Sequence, residues 1–87
     1  LSVTYSVSED AVVVEGVAVP AIDDTATYQL WLVGDEGATS AGLFRPAVDG
    51  SVLERLDGVD PTGFVLGVTQ EPAGGSESPT LPILAST

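Results

Sequence analysis

Asp24-Thr25-Ala26 is the one short motif in the chain that a catalytic mechanism could use. An Asp-Thr-Ala triplet can supply one half of a carboxylate pair that shares a proton across a dimer axis, as aspartic-peptidase chemistry requires. Here the aspartate follows Pro20-Ala21-Ile22-Asp23 in a connection instead of closing an apolar strand, and no later apolar-Gly-Arg element stands ready to support a dyad. A three-residue match of this kind arises easily by chance. The chain has no His, no Cys and no Lys, which removes the usual general bases and the strongest nucleophiles. A serine nucleophile would need activation by a carboxylate unaided. The chain is not expected to be an enzyme.

Two oxygen-rich stretches, Gly34-Asp35-Glu36-Gly37 and Asp57–Gly63, have the residue types that hard cations prefer. Neither has the twelve-residue loop with a terminal bidentate Glu, and Asp with Gly is ordinary turn chemistry, so both are read as solvated turns. No metal and no other cofactor is expected. The stretch EPAGGSESPTLP, Glu71 to Pro82, is the most unusual local chemistry. Gly74-Gly75 gives the backbone access to positive φ, while Pro72, Pro79 and Pro82 restrict it. Successive amides at such glycines can form an anion-accepting nest, with Glu71 the nearest group to fill it. A recognition loop is one reading; an ordered crossover between the last two strands is the expected one.

Charge narrows the class further. Thirteen Asp and Glu against Arg45 and Arg55 leave a net charge of −11. Nucleic-acid affinity rests on Lys and Arg at phosphates, so no nucleic-acid partner is expected, and anionic lipid headgroups would be repelled. The absence of cysteine removes disulfides, thiolates and cysteine zinc sites. No apolar run approaches the roughly 20 residues of a membrane span. No signal peptide is recognisable and the sequence opens on Leu1, so it is expected to be a segment of a longer protein.

The elements that would position these residues are short β-branched runs broken by Gly, Pro and Asp about every ten residues. Ser2–Ser8 alternates Val3, Tyr5 and Val7 against hydroxyl residues, with a tight turn expected at Glu9-Asp10 before a second strand over Asp10–Val17. Val19–Asp24 is a connection. Further strands are expected over Thr27–Val33, Ala41–Pro46, Asp49–Leu56, Thr62–Gln70 and Pro82–Ser86. Val52–Asp60 has a weak helical period that could form a single turn. The expected fold is all-β: an antiparallel β-sandwich of about seven short strands, immunoglobulin-like in size, forming a single domain over residues 1–87.

Thr25–Gly37 poses a problem for such a sandwich. At period two, Tyr28, Leu30 and Leu32 share one face, but the opposite face carries Gln29, Trp31 and Val33 and is apolar too. A sandwich strand is normally dry on one face only, so the Trp31 face is either covered or a binding patch. Cover by the chain's own loops, or by polypeptide upstream of Leu1, is the expected arrangement, because large aromatics are mainly buried.

Taken together, Tyr28-Gln29-Leu30-Trp31-Leu32, Ala41-Gly42-Leu43-Phe44, and Glu71-Pro72-Ala73-Gly74-Gly75-Ser76 followed by Pro79-Thr80 resemble the C-terminal domain of anti-sigma-K-type factors. The resemblance runs from about Ser2 to Ala85. It departs from the family pattern at Gln70, where Val is more usual, and at Leu81, where Gly is commoner. It implies a single-pass membrane protein whose N-terminal cytoplasmic segment sequesters a sigma factor of the extracytoplasmic-function group. This β-domain would lie on the extracytoplasmic side of the plasma membrane, and a site-one-type protease would cut near the juxtamembrane stalk to begin release of the sigma factor. The sigma factor and the membrane would be met through segments other than this one. Tyr28, Gln29, Leu30, Trp31, Leu32, Gly42, Phe44, Glu71, Pro72, Gly74, Gly75 and Pro79 would then be structural or contact a partner. The competing reading is a secreted or surface-exposed β-sandwich that binds carbohydrate or protein.

Overall fold

β-branched and aromatic residues at alternate positions, bounded by turn residues, make seven antiparallel strands in the computed structural model, which describes residues 1–6, 8, 10–59 and 61–87. They are β1 (Ser2–Ser6), β2 (Ala11–Gly16), β3 (Ala26–Gly34), β4 (Gly37–Phe44), β5 (Val52–Asp57), β6 (Val65–Pro72) and β7 (Ala85–Ser86). Two sheets result, a three-stranded one in the order β1-β2-β5 and a four-stranded one in the order β4-β3-β6-β7. The expected all-β sandwich is the architecture observed, and no helix occurs among the described residues.

Strand ends differ from the sequence expectation for local reasons. β4 begins at Gly37 and not at Ala41, because Asp35-Glu36 closes a two-residue turn and Gly34 pairs with Gly37 at once. β6 starts only at Val65 and runs on through Glu71-Pro72. β7 is confined to two residues rather than starting at Pro82, which has no N–H to give a ladder. The weakly helical segment is strand as far as Asp57. There Val52, Glu54 and Leu56 oppose Gly16, Val14 and Val12, with a glutamate in the central inward-facing position. Leu53 points outward and is 76% exposed. An inward charge on an edge strand discourages pairing with another chain. Val7 and Glu9, assigned above to the dry face of the first strand and to the first turn, lie outside the described residues, as does Asp60; Asp10, the other turn residue, has φ 51°.

Between the sheets, Tyr28, Leu30, Phe44, Leu66 and Val68 of one meet Val12, Val14 and Val52 of the other. Each such side chain contributes about 1.5–3 kcal/mol on burial. The Tyr28 and Phe44 rings stack with centroids 5.6 Å apart and planes at 22°. The Tyr28 hydroxyl donates to the Pro20 carbonyl at 2.8 Å, tying the β2–β3 connection to the core. Burial raises the Tyr28 pKa, so this hydroxyl stays protonated and donating. Tyr28→Phe keeps the stacking and deletes the bond, and is expected to lower the unfolding free energy by about 1 kcal/mol in urea denaturation. Arg45, just past β4, clamps the same connection by donating to the carbonyls of Ile22 at 3.0 Å, Asp23 at 3.1 Å and Ala26.

Candidate functional site

The alternation that sends Tyr28 and Leu30 inward sends Thr27, Gln29 and Trp31 to the outer face of the four-stranded sheet. Opposite them on β6 lie Glu71, Thr69 and Gly67 respectively, and all of these except Gly67 are buried polar or aromatic residues. The outer face is therefore not wet. The chain covering it is the β6–β7 loop, residues 73–84, which folds back over its own sheet.

Two side chains hold that loop. The Gln29 amide bonds the main chain of Ser76 in both directions: its Oε1 accepts from the Ser76 N–H at 2.9 Å and its Nε2 donates to the Ser76 carbonyl at 3.2 Å. Nε2 also donates to Ser40 Oγ at 2.7 Å. Glu71 takes the second hold. Its Oε2 accepts from the Thr80 N–H at 2.7 Å and its Oε1 from the Thr80 hydroxyl at 2.7 Å, while Thr69 Oγ1 donates to Oε2. Trp31 Nε1 donates to the same Thr69 oxygen at 2.8 Å. A relay of indole, hydroxyl and carboxylate thus runs across β3 and β6 into the loop. Among the described residues no buried side-chain N or O atom is left without a partner.

The electrostatics follow. Burial by itself pushes the Glu71 carboxyl up, but the hydrogen bonds from Thr69, the Thr80 amide, the Thr80 hydroxyl and Ser76 together outweigh it and leave the pKa below the ordinary glutamate value. A general base for neutral pH needs a raised pKa and room beside its oxygens. Glu71 has neither, being 2% exposed with both oxygens occupied. The arrangement anchors a loop.

Gly75 lies under the same constraint. Its φ is +86°, and a Cβ there would stand 3.0 Å from Leu43 Cδ2 and 3.1 Å from Gln29 Oε1. Gly75→Ala is expected to cost about 1–3 kcal/mol. It should also speed proteolytic nicking of residues 73–84, which limited proteolysis followed by mass spectrometry would read.

The residues of the family pattern divide between the two faces. Tyr28, Leu30, Leu32 and Phe44 belong to the inter-sheet core, with Gly42 against it, where an added Cβ would meet Leu56 Cδ2 at 3.0 Å. Gln29, Trp31, Glu71, Gly75 and the half-buried Pro79 gather under or within the loop. Pro72 and Gly74 form its exposed first turn, in which the Pro72 carbonyl accepts from the Gly75 N–H at 2.9 Å. One detail of the nest expectation is corrected: Glu71 is held by Thr80 and Thr69, and the amides following the two glycines serve Pro72 and Gln29 instead. Thr69 and Ser40 escaped the sequence reading. The available signal was that Thr69 and Glu71 alternate with Leu66 and Val68, which places both on the face of Trp31.

Asp24 sits exposed in the turn before β3. The neighbouring Asp23 organises that turn, accepting from the Thr25 hydroxyl and from the Thr25 N–H at 2.8 Å, and these bonds lower its pKa. No dyad-like burial is present at Asp24. Among the described residues no group of three or more acidic or other ligating side chains could hold a metal ion.

Comparison with known proteins agrees with the pattern of residues. The family model described as anti-sigma-K factor rskA, C-terminal, matches residues 1–84. Proteins named anti-sigma-K factor RskA from Mycobacterium sp. strains KMS, JLS and MCS are each 38% identical over 87 residues, covering 97% of this chain. The chain spans 35% of the length of these relatives. No solved structure matches it significantly.

Proposed function

The chain belongs to the anti-sigma-K factor C-terminal family, and from that premise we propose that it is the regulatory, non-enzymatic β-domain of a membrane-anchored anti-sigma factor, lying on the extracytoplasmic side of the membrane. The observation that carries this reading is the family match over residues 1–84. The sigma factor, of the extracytoplasmic-function group, is bound by another segment of the parent protein. The β-domain restrains the release of that factor, and so the transcription it directs, by governing when a site-one-type protease reaches the stalk between domain and membrane.

Two features of the fold support the restraining role. Both faces of the four-stranded sheet are closed by the chain's own residues, so the domain offers a protease few extended segments. The closure also rests on a few side-chain hydrogen bonds from Gln29 and Glu71, so it is sensitive to single substitutions. The test places Trp31→Ala and Tyr28→Phe in the full-length protein, alongside a reporter driven by the cognate sigma factor. The strongly destabilising variant is expected to raise reporter output and shorten the life of the intact protein, with the mild one close to wild type. Unchanged cleavage when the domain is unfolded would sink the restraining role.

A further inference from the structure

The edge of β6 beside the β6–β7 loop is open where its neighbours are closed. The Leu84 N–H donates to the Val68 carbonyl at 2.8 Å and the Thr87 N–H to the Leu66 carbonyl at 2.9 Å, so alternate residues of β6 turn their main chain away from β3. Gln70 is the next residue in that series, but β7 pairs only with Gly67 and Val68. The N–H and C=O of Gln70 therefore face outward, with no partner among the described residues. They open into a groove of about 550 Å³ between Thr25-Ala26 on one side and Leu81, Pro82 and Leu84 on the other. A second recess of about 270 Å³, walled by Leu1, Val17 and Tyr28, joins it at Gln70 and Leu84. The walls are apolar and accessible, with Leu81 75%, Leu84 46% and Val17 83% exposed.

We propose that this groove binds an extended peptide with apolar alternate residues and basic flanks, added as a short strand on Gln70. A free donor and acceptor pair at a sheet edge fixes an extended backbone, and the apolar walls take alternate side chains. Charge selects the flanks. Asp23 and Asp24 adjoin Thr25 at one end and Glu15 stands beside Leu1 and Val17 at the other, against the single guanidinium of Arg45. With a net charge of −11, a second copy of this chain is repelled from the same edge. The inference is independent of the sigma-factor reading, since it uses only the edge, its walls and its charge.

The test is an NMR titration of the ¹⁵N-labelled 87-residue chain with acetyl-Lys-Val-Ser-Val-Ser-Lys-amide and with its glutamate-flanked counterpart. Saturable shifts centred on Gln70 and Leu84 are expected with the lysine peptide, with affinity falling as salt rises and at least about tenfold weaker binding of the glutamate peptide. Gln70→Pro removes the outward N–H, which the ladder to β3 does not use, together with the Gln70 side chain, and should lose binding while leaving the shifts of the other strands in place. If that variant fails to fold, Leu81→Ser, at an exposed wall position, should instead preserve the fold and remove apolar wall without adding charge, weakening the lysine peptide. Equal binding of both peptides, no saturable shift, or undiminished binding in the folded variants would overturn the proposal. So would concentration-dependent broadening at Gln70 without peptide, which would identify a second copy as the occupant.

Discussion

Trp31→Ala is expected to cost about 3–5 kcal/mol, enough to leave a large part of the population unfolded at physiological temperature. A domain of this length has a total stability of about 4–13 kcal/mol. The indole is 1% exposed, on the outer face of β3 rather than in the inter-sheet core, so its removal opens a space between sheet and loop that neither can fill. It also takes away the donor to Thr69 and so the first link of the relay to Glu71. Trp31→Phe separates the two effects. It preserves most of the apolar volume and deletes the N–H, with an expected loss of about 1–2 kcal/mol. Urea denaturation followed by circular dichroism reads both variants, since neither retains the only tryptophan as a fluorophore. A Trp31→Ala domain as stable as wild type would mean that the loop does not pack on this face.

Glu71→Ala is expected to cost about 3 kcal/mol and to free the β6–β7 loop while the two sheets persist. The carboxylate is the acceptor shared by Thr69, the Thr80 amide and the Thr80 hydroxyl, and truncation strands those donors under a partly closed surface. The cost stays below the sum of the separate bonds because Thr80 is exposed and recovers water once released. Hydrogen exchange should show the loss of protection confined to the Thr80 amide and its neighbours. The same carboxylate makes a pH signature. Its folded pKa lies below the ordinary value of 4.5, so its stabilising contribution is complete above that value and disappears as pH falls through the lower folded-state pKa. Wild type should therefore lose stability as the medium is acidified below about pH 4.5, with Glu71→Gln losing less over the same window. Asp23 and Asp49, whose pKa values are also lowered by hydrogen bonds from Thr25 and Ser51, contribute equally to both proteins and cancel in the difference.

Much of this was legible in the sequence. Period-two alternation in Val3-Tyr5 and in Tyr28-Leu30-Leu32, with turn residues at Asp35-Glu36, Asp49-Gly50 and Gly74-Gly75, pointed to about seven short strands and, in the first of them, to the dry face. These are local properties, set by the pleat of a strand and by the φ values that Gly and Asp tolerate. The double-sided apolar character of β3 also left its outer face either covered or a binding patch, with cover the expected arrangement. The residues providing the cover could not be read this way. Gln29 meets Ser76 and Glu71 meets Thr80 across gaps of 47 and 9 residues, and the sequence has no period that relates them. Strand boundaries that depend on a partner, such as the early start of β4 and the brevity of β7, were likewise decided by pairing. So was the character of Glu71, which composition alone presents as one of thirteen exposed acids. The sequence by itself determined an acidic all-β chain with no His, Cys or Lys. Only the tertiary structure decided that one of its acids is an anchor, because a carboxylate's role depends on the donors that surround it, and here those donors are brought together by the return of the β6–β7 loop.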